Sequence, residues 1–164
     1  ELGLLDETGR IIKPGGSLFE SLVREKNNGL EFLLEAHNKK IPINQRDIRE
    51  LQLAKGAIRS GIEILLEEAG RTYSDIETIY LAGAFGTYLD PESAIKIGLL
   101  PPVPLNKVYS VGNAAGEGAK LALIDVDFRE IAEDISRKVR YIELSSRIDF
   151  QDKFMDSLYF EVVR

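Results

Sequence analysis

The clearest periodic signal runs from Asn44 to Gly70. Ile48, Leu51, Ala54, Ile58, Ile62, Leu65, Leu66 and Ala69 recur at spacings of three and four, and Leu53, Ala57 and Ile64 widen the stripe. The pattern predicts one long, mostly buried helix. Asn44 stands as its N-cap, Asp47 three residues later as a capping-box-like partner, and Gly70 as its terminator. Gly56 and Gly61 each weaken helix propensity by about 1 kcal/mol relative to Ala, so another element is expected to approach closely there.

Around this helix the pattern is shorter. Leu2 to Ile12 reads as the end of a helix running into a turn around Asp6 to Gly9. Pro14-Gly15-Gly16 breaks the chain, Ser17 to Arg24 suits one or two helical turns, and Asn27-Asn28-Gly29 turns it again. Leu30 to Ala36, with Ile41 and Ile43 following, predicts one or two short strands. Beyond the long helix, Ile76 to Ala82 is a buried strand that empties into Gly83-Ala84-Phe85-Gly86. Asp90-Pro91-Glu92 opens a helix that stops at Gly98, with a cap, a proline at the first position and an acid in the first turn.

A rigid proline connector from Leu100 to Pro104 leads to a second strand, Lys107 to Val111, which also ends in glycine. Gly112 to Ala119 leads into a small-residue helix through Ile124 that can lie close against a sheet or the long helix. Asp127 is placed as the cap of another helix reaching about Val139, Tyr141 to Leu144 as a last strand, and Asp149 to Leu158 as a closing helix with Phe150, Phe154 and Leu158 on one face. Alternating helices and short strands predict the α/β class, a layered single domain over 1–164 with a central sheet.

Composition narrows the function. With 21 basic and 27 acidic residues the formal net charge is −6, the wrong sign for a surface that collects phosphate backbones, so nucleic acid is not expected as a partner. The chain has no cysteine, which excludes a disulfide framework and any thiolate-held zinc or iron–sulfur site built from these residues alone. Its apolar runs fall far short of the roughly 20 residues that span a bilayer, and no signal sequence opens it, so no membrane partner and a cytoplasmic location are expected. Glu1 stands where an initiating Met would, and Met155 is the sole methionine, which leads us to expect a piece of a longer protein.

Two strand-to-glycine transitions are the candidate chemistry, Tyr80 to Gly86 and Tyr109 to Gly116. Ligands of open α/β sheets settle outside the carboxyl ends of strands, where glycine lets the backbone approach a flat or charged group. Both turns could face one nucleotide, or each could simply be a tight turn. Gln52, Lys55 and Arg59 share a polar helical face; spacing alone reads it as a solvated stripe or as a contact to ribose or phosphate. His37 is the only histidine and has no second one with which to form a metal site, so no metal site is expected. Hydrolytic triads, Walker loops and metalloprotease motifs are absent from the sequence.

Four blocks in order resemble a known family: Asp47 to Lys55; Ile79 to Gly86 with Asp90 to Ala94; Ser110 to Ala119; and Tyr141 to Ser145 with Phe150 and Phe154. They look like the C-terminal region of the reductive activators of corrinoid proteins and cover nearly the whole chain. The resemblance implies the C-terminal half of an actin-like, ribonuclease-H-like ATPase domain of the acetate kinase, sugar kinase, Hsp70 and actin superfamily, with a short-stranded central sheet and packed helices.

The full protein implied carries an N-terminal [2Fe–2S] domain, a linker and a middle domain. It uses ATP with Mg2+ to help return cob(II)amide to cob(I)amide on a corrinoid protein or corrinoid-dependent methyltransferase of one-carbon metabolism, and a homodimer is compatible with it. By motif, Gly83, Ala84, Phe85 and Gly86 would lie beside adenine and ribose, Gly112 and Asn113 would form the second connecting segment, and Gln52 and Lys55 would resemble a helical Glu-x-x-Lys with Gln replacing the acid. The phosphate loops do not appear in this sequence, so the chain is expected to be the adenosine-side lobe and catalytically incomplete. Alternatives are a docking or dimerisation module with no working nucleotide site, and activation of a different metalloenzyme such as a dehydratase.

Overall fold

The computed structural model describes residues 3–13, 15, 19–26, 29–36 and 39–160. Expectations at Leu2, Pro14, Gly16, Ser17, Asn27, Asn28 and His37 lie outside these residues.

The chain enters as a small loop rather than the end of a helix. Leu5 bridges Ile11 in antiparallel fashion. The Asp6 carboxylate gathers the Thr8 amide and hydroxyl and the Arg10 amide, which closes the predicted turn around Gly9. A single 3-10 turn, Glu20–Leu22, leads into strand β1, Val23–Lys26, where helical turns were expected. The reason is tertiary: Val23 is buried and pairs with Phe32 of the next strand. Strands β2, Gly29–Ala36, and β3, Lys39–Asn44, complete a three-stranded antiparallel sheet.

Helix α1, Gln45–Glu68, starts on the predicted capping box: the Asn44 side chain accepts from the Arg46 and Asp47 amides, and Asp47 accepts from the Asn44 amide. Gly70, at φ +63°, ends it, with the Arg71 amide bonded to the Leu66 carbonyl. The helix spans two apolar clusters. Ile48 packs with Ile11 and Val23. Ile58 packs against Leu81, Ala94, Leu99 and Leu100.

The expected apolar stripe is only half right. Ile48 and Ile64 are buried, but Leu51, Leu53 and Leu65 are exposed, while Gln52, Lys55, Arg59 and Ser60 face inward. Main-chain carbonyls of other segments press on that face, and only donors can satisfy them.

After a 3-10 turn at Tyr73–Asp75 come strand β4, Ile79–Ala82, and helices α2, Gly83–Tyr88, and α3, Pro91–Lys96. Strand β5, Val108–Gly112, pairs with β4 in parallel. The α/β class holds, with the strands divided between two small sheets.

Helix α4, Ala114–Ile124, packs on helix α5, Val126–Lys138, and buries none of its residues, so its small side chains do not line the sheet or α1 as expected. Asp125, not Asp127, caps α5, its carboxylate accepting from the Asp127 amide. Tyr141 to Leu144 is not a strand: the Glu143 carboxylate collects Tyr141 Oη and the Ser145 amide and hydroxyl, and a 3-10 turn, Leu144–Ser146, follows. Helix α6, Phe150–Asp156, closes the fold against α1. Among the described residues no helix is long and apolar enough to cross a membrane.

Candidate functional site

β4 and β5 run in the same direction, with Tyr80 opposite Tyr109 and Ala82 opposite Gly112. Parallel pairing delivers both carboxyl ends to one edge. Each strand gives way there to a glycine of positive φ, +67° at Gly83 and +61° at Gly112, a conformation that side chains with a Cβ resist. The first turn of α2 sits directly on the strand ends: a Cβ on Gly86 would fall 2.1 Å from the Leu81 carbonyl oxygen and 3.1 Å from the Gly112 nitrogen. A Cβ on Gly83 or Gly112, by contrast, would meet nothing within 4 Å. The cradle is therefore tight beneath and open above.

Asn113 caps α4 through a 3.1 Å bond from the Gly116 amide to Oδ1. Ala84, Phe85 and Asn113 are exposed around the opening. One face of the β4–β5 pair, carrying Ile79, Leu81 and Val108, packs on Ala94, Leu99 and Leu100. The other presents Tyr80 and Tyr109, with ring centroids 6.2 Å apart and both rings exposed. This aromatic pair was missed in the sequence, although the alternation Ile79-Tyr80-Leu81-Ala82 carries its signal.

Gln52 and Lys55 sit in a different place. Each is only 2% exposed. Gln52 Nε2 donates to the Leu158 carbonyl at 2.8 Å and the Thr8 carbonyl at 3.1 Å. Lys55 Nζ donates to the carbonyls of Ser157 at 2.6 Å and Tyr159 at 2.7 Å, and lies 5.4 Å from the centre of the Phe160 ring. Arg59 continues the ladder, donating from Nη1 to the Leu100 carbonyl at 3.0 Å and from Nε to Glu63 at 3.0 Å, with its guanidinium 4.6 Å from the Tyr73 ring centre.

The stripe is thus not a solvated face. The predicted residues divide into two groups: Gly83 to Gly86 with Gly112 and Asn113 at the strand ends, and Gln52 with Lys55 against the C-terminal segment.

Among the described residues no group of three His, Cys, Asp or Glu is placed to hold a metal ion. Against known proteins, the model of the C-terminal domain of RACo, the ASKHA domain, matches residues 1–163. The chain belongs to the RACo C-terminal ASKHA-domain family.

Within this ASKHA family, the chain is 43% identical over 168 residues to the corrinoid activation enzyme RamQ of Eubacterium limosum, covering 96% of this chain and 28% of that protein. It is 35% identical over 108 residues to a [Co(II) methylated amine-specific corrinoid protein] reductase of Methanosarcina barkeri, covering 66% of this chain and 18% of that protein. A solved reductive activator for corrinoid, iron-sulfur protein superposes with a TM-score of 0.81 at 35% identity, over 96% of this chain and 26% of that one. The ASKHA fold, mixed α/β with small sheets and packed helices, is thereby established, and the chain spans about a quarter of the length of RamQ and of the solved activator.

Proposed function

We propose that this chain is the adenosine-side lobe of an ATP-dependent reductive activator. As part of a longer polypeptide it helps return cob(II)amide to cob(I)amide on a corrinoid protein or corrinoid-dependent methyltransferase. The observation that carries the proposal is the meeting of two parallel, glycine-ended strands beneath open space, in a chain whose relatives activate or reduce corrinoid proteins.

In this reading Gly83, Ala84, Phe85, Gly86, Gly112 and Asn113 face the nucleoside. Glycines at 83 and 112 let the backbone come within van der Waals range of a purine. Gln52 and Lys55 act from behind, by fixing the wall of the lobe. Phosphates and Mg2+ are held by residues of the activator outside this chain, as is a [2Fe–2S] cluster; ATP hydrolysis supplies the drive for an electron transfer that is otherwise uphill. A cytoplasmic location belongs to the same proposal.

Calorimetric titration with ATP and Mg2+ tests it. Weak binding by the chain, abolished by Gly83→Val or by the exposed change Ala84→Asp with the circular dichroism spectrum preserved, is the expected result. A second reading, a docking or dimerisation module, is favoured by the exposed stripe Phe128, Ile131 and Ile135 on α5, continued by Val139 at its C-cap. Capture of a corrinoid protein with no response to nucleotide would select it.

A further inference from the structure

We infer that Lys55 and Arg59 are positioning residues that couple the docking of the strap 157–160 to the loop 98–101 behind the two glycine turns. The coupling of strap to loop stands on geometry alone; its consequence for ligand binding rests on the nucleoside proposal above.

Strap and loop face each other across a cavity of about 220 Å³ whose lining includes Lys55, Arg59, Gly98, Ser157 and Tyr159. Lys55 stands between the two. Its ammonium group holds two strap carbonyls, and it lies 3.5 Å from where a Cβ of Gly98 would be. Gly98 has φ +77°, a backbone conformation that favours glycine, while a Cβ there would make only ordinary contact with the Lys55 ammonium. One turn along α1, Arg59 holds the loop itself by the Leu100 carbonyl.

The loop is in turn part of the wall. The amides of Leu99 and Leu100 both fold back onto the Ala94 carbonyl, at 2.9 and 3.1 Å, and both leucines are buried with Leu81 of β4. Leu81 also supplies the carbonyl against which Gly86 is packed.

The strap belongs to no described helix or strand. Side chains of α1 accept its load: Gln52 and Lys55 bond three consecutive carbonyls, and the Phe160 amide bonds the Glu7 carbonyl at 2.9 Å. Because Lys55 bonds two of those carbonyls with one nitrogen, withdrawing the ammonium leaves two acceptors unmet at once, and the strap docks or leaves as a unit. A contiguous set of packed and hydrogen-bonded groups therefore runs from strap to Lys55 and Arg59, to the loop, to β4.

Amide hydrogen exchange of the 164-residue chain tests the inference, read at Leu99 and Leu100. Lys55→Met removes the ammonium and keeps the stem. Leu158→Ala trims the strap side chain that lies against Gly56. Each is expected to speed exchange at Leu99 and Leu100 by about tenfold relative to a control, the unaltered chain brought with urea to the same global stability. Exchange that rises at residues 158–160 but stays at the control level at Leu99 and Leu100 would overturn the coupling. Should Lys55→Met fail to fold, Leu158→Ala decides by the same criterion, since it leaves every donor in place. ATP affinity is measured in parallel: no binding by the unaltered chain defeats the nucleoside proposal and leaves the exchange result standing.

Discussion

Gly56 of α1 and Leu158 approach so closely that a methyl group on Gly56 would lie 2.9 Å from Leu158 Cδ2, and 3.2 Å from Phe154 Cε2. The close approach expected from a mid-helix glycine is therefore real, and it is the C-terminal segment that makes it. Gly56→Ala gains about 1 kcal/mol of helix propensity and loses a similar amount in shifting the end of a flexible leucine. Its net effect on urea unfolding should stay within about 1 kcal/mol. Gly56→Ile cannot be absorbed in that way; it should displace the strap and cost about 2–3 kcal/mol.

Gly86 and Gly118 give opposite expectations from the same substitution. At Gly86 a Cβ would collide with the backbone carbonyl of Leu81 at 2.1 Å, and a backbone atom cannot swing aside. Gly86→Ala should destabilise by about 2 kcal/mol or more and weaken any ligand held at the strand ends. Gly118 lies within α4 with nothing within 4 Å of its Cβ position. Gly118→Ala should stabilise by about 0.5–1 kcal/mol. Thermal midpoints of the two variants, measured side by side, check both signs.

What could be read from the sequence was local. Asn44 and Asp47 specify a helix start through atoms three residues apart, and Gly83 and Gly112 announce strand ends through a backbone conformation that glycine tolerates. What could not be read was decided at long range. Gln52 and Lys55 look like a polar face until carbonyls about a hundred positions away, at Ser157, Leu158 and Tyr159, turn that face into an interior one. Val23 becomes a strand residue because Phe32 lies opposite it, and Tyr141 to Leu144 fails to become one although its apolar and polar residues alternate suitably. Periodicity reports which side chains prefer water and is silent about backbone groups that arrive from elsewhere.

Tyr73 should titrate late. Its hydroxyl is pushed up to about 12 by burial first and by its 2.5 Å hydrogen bond to Glu63 second, against the Arg59 guanidinium over its ring, which pulls the other way. A phenol whose folded value is raised contributes stability that is complete below its ordinary value near 10.0 and disappears as pH climbs through about 12. Ultraviolet titration of the six tyrosines should show Tyr73 ionising last, with Tyr141, raised by its hydrogen bond to Glu143, also displaced upward. Glu63→Gln, by removing the acceptor charge, should bring that ionisation back toward 10.0 without abolishing the shift due to burial.

Acid should loosen the far end of α1. Its last turn holds Glu67 and Glu68 and no cation, an unfavourable arrangement at the negative end of a helix dipole. The compensation comes from outside the helix: Lys153 reaches Glu67 at 2.6 Å, while Arg140 and Arg147 both reach Glu68. Arg147 also grips Asp149 with two bonds, at 2.9 and 3.0 Å. The hydrogen bond from Arg147 is the largest influence holding both carboxyls below their ordinary values of 4.5 and 3.8. Because those values are depressed, the stability they contribute is present above the ordinary range and is lost as pH falls through the folded values. Thermal midpoints followed from about pH 6 to about pH 3 should therefore decline in the parent chain. Arg147→Met should lower the midpoint at neutral pH and flatten the decline on the acid side. Added salt should narrow the gap between the two proteins, since these pairs are partly open to solvent. A decline of equal steepness in both would mean that Arg147 does not tie the 140–149 segment to α1 in solution.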